Sequence, residues 1–186
     1  MRLSSIYGTI DMVLQRIAGI GSVAMVALVT ITMYDVSTRY FDLPKFAGLN
    51  STMVQEAEYW AHGFLLCLFI GYGYTRQAHV RIDLVRAMLS TRGKYWVEIV
   101  GIVFLLLPFA LISLKYSFDY ALKSYVDGEV SPSTNGLNNF WIFKSAMVAM
   151  FALLTLAAIS QVLKCVDGIR GNLTEENADH ALGDGH

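Results

Sequence analysis

The sequence predicts an all-α membrane protein of four transmembrane helices with both termini cytoplasmic. Three observations predict it. Hydrophobic residues make up 55% of the chain and charged residues only 16%, against roughly a quarter charged in soluble domains. The apolar content is concentrated in four long runs, each close to the ~20 residues that a bilayer core requires. Most of the Lys and Arg outside those runs fall on one side of them, as they do in cytoplasmic loops.

The first span is expected at about residues 17–36, where the run IAGIGSVAMVALVTITMY carries no charge. It is longer than a signal-peptide core and no A-x-A-like site follows, so it is expected to stay as a signal anchor. The second, about 57–76, is interrupted by His62 and leaves through GYGYTR, an aromatic pair followed by Arg76, as at a membrane interface. The third, about 95–116, contains Pro108, which inside a membrane helix introduces a kink rather than an end. The fourth, about 141–164, is apolar apart from Lys144, whose stem is expected to snorkel to the near surface.

Orientation follows from the loops. Between spans two and three lie Arg76, Arg81, Arg86, Arg92 and Lys94 against Asp83 alone, which makes that loop cytoplasmic. Arg2 and Arg16 before the first span, and Lys164 and Arg170 at the end of the last, fall on the same side, as an even number of spans demands. The outer loops carry Asp42, Glu56, Glu58, Asp119, Asp127 and Glu129.

Two segments look interfacial. Residues 1–16 form an amphipathic arm with Leu3, Tyr7, Ile10 and Leu14 at helical spacing and Asp11 placed elsewhere around the turn. Between spans two and three, Val80, Leu84, Val85, Met88 and Leu89 predict a short interfacial helix opposite Arg81 and Arg86, which with Arg76 would meet phospholipid headgroups. The membrane domain is then residues 17–168, and the polar tail 169–186 is expected to be disordered.

Little in the chain suggests chemistry. An intramembrane enzyme or pump keeps an ionisable group at mid-depth, and the middles of all four spans lack one. Asp35 and Arg39 at the outer end of span one, and Glu56 and Glu58 at the outer start of span two, are rim positions. Asp35 and Arg39 are either a local pair worth a few tenths of a kcal/mol or a contact with another subunit. His79 and Asp83 have the same four-residue spacing, again either a pair or a helix end with lipid-facing charges.

Gly63, Cys67 and Gly71 line one stripe of span two, letting a helix of this chain or of another protein approach closely. His62 and His79 would stand about 25 Å apart on one helix, and His180 and His186 lie in the tail, so no two can clamp a haem iron. Neither cysteine, Cys67 or Cys165, is in a CxxC spacing, and no metal or cofactor is expected. A net charge of −1 with no basic face excludes nucleic acid. Repeated halves with Gly- or Pro-broken helices, expected of a free-standing secondary transporter, are absent.

Several of these residues also resemble a known family. DVSTRY at the end of span one, EAEYW with Glu56 and Glu58, GYGYTRQAHVRIDLV, and DGEVSPSTNGLNNFWIFK followed by an apolar run and SQVLK are similar to the small permease subunit of tripartite ATP-independent periplasmic (TRAP) transporters, the DctQ-like family. The resemblance covers about residues 34–164. FWIFK departs from the pattern in lacking a proline beside the tryptophan. The resemblance implies a bacterial inner-membrane complex with a large permease subunit that carries the sodium and substrate sites. A periplasmic binding protein would deliver an organic acid or related solute, taken up on the sodium gradient without ATP. The small subunit is implied to be a non-catalytic scaffold that helps form the docking surface. The alternative is a membrane-anchor subunit of a quinone-linked oxidoreductase.

Overall fold

Helix α1, Leu3–Tyr40, runs for 38 residues without a break. Nothing in it calls for one. The first proline of the chain is Pro44, and the hydroxyls of Thr9, Ser22 and Thr30 donate to carbonyls three or four residues back, so they need no outside partner in apolar surroundings. The computed structural model describes residues 3–46, 48–78, 89–173 and 175–182.

Helix α2, Ser51–Thr75, begins where the Asn50 side chain accepts from the Met53 N–H at 2.9 Å, satisfying one of the donors a helix start leaves open. Helix α3, Thr91–Gly101, starts in the same way on Ser90. It continues through a π-helical turn, Ile102–Leu106, into α4, Leu107–Val126. Helix α5 is Phe140–Ile169 and α6 is Glu175–Leu182.

The π turn is the local answer to Pro108. A proline in regular helix loses a hydrogen bond and presses its ring on the carbonyl four residues back, here that of Phe104. The wider turn, closed by the Leu107 N–H on the Ile102 carbonyl, stands immediately ahead of the proline. The helix absorbs the defect this way and runs on to Val126.

Helix α5 is the centre of the bundle. It packs against α1, α2 and the α3–α4 rod, whereas that rod packs chiefly on α5. Burial reflects this: 39% of the most apolar stretch of α5 is buried, against 11% for α1 and for the rod. Leu14 of α1 meets Leu153 and Ala157 of α5, with Ile10, Ile17, Leu68 and Tyr74 around them. Small residues such as Ala157, Ala158 and Ser160 are fully buried and allow the close approach that drives helix association in lipid.

Leu3–Tyr40, Thr91–Val126 and Phe140–Ile169 are long and apolar enough to cross a membrane. The expected second span, 57–76, falls within α2, whose Glu, His, Gly and Tyr residues make it less apolar. Two expectations need correction. The arm 1–16 is no separate element, because α1 is continuous and turns Tyr7 and Leu14 into the protein core. The tail is not wholly irregular: α6 forms within it and buries Ala181 and Leu182 against Tyr95 and Cys165, a tertiary gain that local composition does not register. The expected interfacial helix between spans two and three lies almost wholly in 79–88, outside the described residues.

Candidate functional site

The polar side chains of this bundle gather at its two ends. At the end that carries the 40–50 and 127–139 connections, Asp35 is buried on α1 and takes Arg39 at 2.7 Å and Lys45 at 2.6 Å. The Asp35–Arg39 spacing was legible in the sequence. Lys45 was not, because it arrives by a fold-back of the chain after α1. The carboxylate is thus satisfied within the chain.

On the same end, Glu56 in the first turns of α2 is enclosed by residues 131–137. Ser131 Oγ donates to Glu56 Oε1, and the Leu137 N–H donates to Oε2 at 2.6 Å. The loop is braced by Ser131 N–H on the Leu137 carbonyl and Asn50 Nδ2 on the Asn135 carbonyl. Gly136 is required here, since a Cβ would meet Ser131 and come within 2.6 Å of Glu56 Oε1. The Ser131 hydrogen bond holds the Glu56 carboxyl below the usual carboxylate range. Glu58, two residues on, joins neither cluster.

Beside this loop, Lys144 pairs with Glu129 and lies 3.8 Å above the Tyr120 ring. The sequence suggested that Lys144 reaches for the surface. Instead the residue is buried, because a carboxylate and an aromatic face come to it from α4 and the loop. The Lys144 hydrogen bond in turn lowers the Glu129 carboxyl from its ordinary value. The Gly-Glu-x-Ser and Trp-x-x-Lys pieces of the sequence therefore supply both halves of this clamp. A groove of about 380 Å³ opens next to it, lined by Gln55, Glu56, Tyr59, Trp60, Ser133 and Phe143.

At the opposite end, Asp11 of α1 accepts from Ser160 Oγ at 2.6 Å and pairs with Lys164 at 2.6 Å. Lys164 is 1% exposed. Asp11 therefore belongs to the buried side of α1, not to an outward polar face. Gln161 Nε2 donates to the Ala181 carbonyl at 2.7 Å, and Gln77 Nε2 donates to the same oxygen at 3.2 Å. Ser160, Gln161 and Lys164 are the SQVLK segment, and all three join α5 to distant elements. No local pattern announced those partners.

Gly63, Cys67 and Gly71 all turn inward. A Cβ on Gly63 would collide with the Phe143 ring, one on Gly71 would come within 2.9 Å of the Leu153 carbonyl oxygen and of Leu14, and Cys67 is buried. The stripe packs on α1 and α5 of this chain. Arg76 closes α2 and lies 5.5 Å over the Tyr72 ring. His79, Arg81, Asp83 and Arg86 lie outside the described residues, and so does the second half of the His62–His79 comparison.

Among the described residues, no three His, Cys, Asp or Glu side chains gather as a metal site requires. The ionic groups are arranged for joining segments of the chain: the carboxylates of Asp11, Asp35, Glu56 and Glu129 are each held by donors from elsewhere in it. The family model described as "Tripartite ATP-independent periplasmic transporters, DctQ component" matches residues 28–168. It supports the transporter reading and gives no support to an oxidoreductase anchor. No curated protein and no solved structure matches the chain.

Proposed function

This chain belongs to the DctQ component family of the tripartite ATP-independent periplasmic transporters, and we propose that in such a transporter it is the four-span scaffold for the large permease subunit and the periplasmic binding protein. It is a membrane transport subunit. In this reading α2 also crosses the membrane, as the second span in chain order, and completes the four. Its 25 residues extend roughly 37 Å at 1.5 Å per residue, more than a ~30 Å hydrocarbon core. Both termini and the Arg-rich 76–94 connection are then cytoplasmic, and the Asp35, Glu56 and Glu129 clusters lie at the periplasmic rim of the inner membrane.

One observation carries the scaffold role. Of the buried charges among the described residues, Asp35, Lys144 and Lys164 are each paired inside the chain, and Asp167 stands in the last turn of α5, so none is poised to bind an ion or solute at mid-depth. Meanwhile the α3–α4 rod leaves Phe104, Leu105, Phe109, Leu111 and Ile112 exposed. An apolar groove of about 720 Å³ runs between Phe118, Tyr125, Trp141 and Ala149, a surface fit for a partner helix or lipid. The rigid loop around Glu56 offers the binding protein a fixed face. Sodium coupling and recognition of an organic acid or related solute belong to the other two components.

Reconstitution tests this. Proteoliposomes holding the large permease, with binding protein and an inward sodium gradient, are expected to accumulate labelled organic acid only when this chain is present. The chain alone is expected to move none. Transport by the chain alone, or full transport without it, overturns the proposal.

A further inference from the structure

The connection that follows α1 is built inside out for a segment in water. Its lysine is withdrawn: Lys45 is 14% exposed, tied to Asp35 at 2.6 Å. Its aromatic residues point outward: Tyr40 is 82% exposed and Phe46 is 74% exposed, with Phe41 and Leu43 also exposed. The geometry is fixed by a left-handed turn at Asp42 and by the Leu43 N–H on the Thr38 carbonyl. The Phe46 N–H then donates to Tyr34 Oη at 3.1 Å, and the two rings stack at 5.9 Å. The chain therefore doubles back beside α1, from Tyr40 to the level of Tyr34, roughly 9 Å along the helix.

We propose that residues 40–46 form a re-entrant foot seated in the headgroup and upper acyl region of the outer leaflet, with phospholipid as its partner. With Lys45 turned in and the aromatic surface turned out, apolar contact is favoured, and the exposed Asp42 carboxylate places the turn itself at headgroup level. Tyrosine at the boundary matches the aromatic belts of membrane proteins, and phenylalanine and leucine are residues that interfacial segments bury below the headgroups. The foot also continues the exposed stripe of α1 formed by Val29, Met33 and Val36. Those residues are bulky, whereas the small Ala18 and Gly21 of α1 are buried on its inner side. Helix partners in membranes select small residues at the contact, so the bulky outer half of the stripe and the foot beyond it face lipid, while the exposed Gly19 and Ser22 lie further back along α1. The foot sets the depth of α1, and the inference rests on α1 being a membrane span.

Nitroxide labels at Leu43→Cys and Phe46→Cys, in the full chain with Cys67→Ala and Cys165→Ala, measure this by power saturation. Phospholipid nanodiscs are used, with and without the large permease, and Val29→Cys and Ser133→Cys serve as references. The expected result at 43 and 46 is high collision with oxygen and low collision with a water-soluble nickel chelate. Their oxygen-to-nickel ratio should lie between those of 29 and 133, whether or not the permease is present. Nickel access at 43 and 46 equal to that at 133 overturns the foot. Loss of both collision signals on adding the permease also overturns it, because the surface is then a protein interface. Nickel access at 29 shows instead that α1 does not span, which removes the premise. Leu43→Cys leaves the Tyr34 stack intact and carries the test if the Phe46 variant misfolds.

Discussion

Ser160 donates to the Asp11 carboxylate at 2.6 Å, joining residues 149 positions apart. The same carboxylate holds Lys164, so the start of α1 and the end of α5 are locked by two donors on one acceptor. Removing one member of a buried pair typically costs about 3–5 kcal/mol, and replacing both by apolar groups costs far less. Asp11 is 29% exposed, so the loss in Asp11→Ala is expected to fall below that range. The double variant Asp11→Ala/Lys164→Met should regain most of the thermal midpoint in detergent. Equal midpoints for the single and double variants would show that the pair contributes little.

The two glycines of the α2 stripe should differ. A methyl group on Gly71 meets backbone, the Leu153 carbonyl oxygen at 2.9 Å, whereas one on Gly63 meets the ring of Phe143, a side chain that can shift. Overpacking costs about 1–3 kcal/mol. Gly71→Ala is expected to lower yield and thermal midpoint clearly, and Gly63→Ala to do so less. Because the stripe is internal, Gly71→Leu should be lost to misfolding and degradation. Its survival as a stable subunit that fails to join the permease would contradict this packing.

The proposed orientation predicts thiol labelling in intact cells. Ser90 and Ser133 are both exposed, while Cys67 and Cys165 are buried. A membrane-impermeant maleimide should react with Ser133→Cys and spare Ser90→Cys until the membrane is opened. The reverse pattern inverts the topology.

Helix α6 should protect Cys165. That thiol is fully buried in a cluster with Ala181 and Leu182. Truncation after residue 172, in a Cys67→Ala background, is expected to convert Cys165 from unreactive to maleimide-reactive in detergent. Unchanged protection would mean that α6 does not cover it.

Acid should loosen the loop end first. Glu56 and Glu129 both have carboxyl groups lowered from the ordinary value, by Ser131 and Lys144 respectively. A carboxyl lowered on folding contributes stability that is full above its unfolded pKa, about 4.3 for Glu, and is lost as pH falls through the lower folded value. Proteolysis of the 127–139 connection is therefore expected to be flat from pH 8 to 5 and to rise below about pH 4.3. Glu56→Gln, which keeps the shape but loses the charge, should flatten part of that rise. An onset near neutral pH would assign the effect to other groups.

Much of the candidate site was legible only as positions. The sequence placed Asp35, Arg39, Glu56 and Glu58 at a membrane rim, because charged residues in an apolar run can stand only near its ends. It offered Asp35 and Arg39 as a local pair or a subunit contact, since a four-residue spacing on a helix puts both on one face, and the structure shows the pair. It offered nothing for Lys45, for the Ser131 and Leu137 donors to Glu56, or for Gln161 and Ala181. Those contacts follow no helical period, and the two to Glu56 cross 75 and 81 residues.

What the sequence determined by itself is what depends on local composition and period, the helical runs and their apolar length, together with the family, which short motifs at the ends of those runs carried. Tertiary structure alone decided that the arm is the start of α1, that α6 forms in the tail, that the glycine stripe packs inward, and that Lys144 is buried. Each depends on what another segment brings to that place. Glu129 and Tyr120 make burial of a lysine tolerable, Tyr95 and Cys165 make a polar tail fold, and Leu153 and Phe143 fill the space that Gly71 and Gly63 leave open.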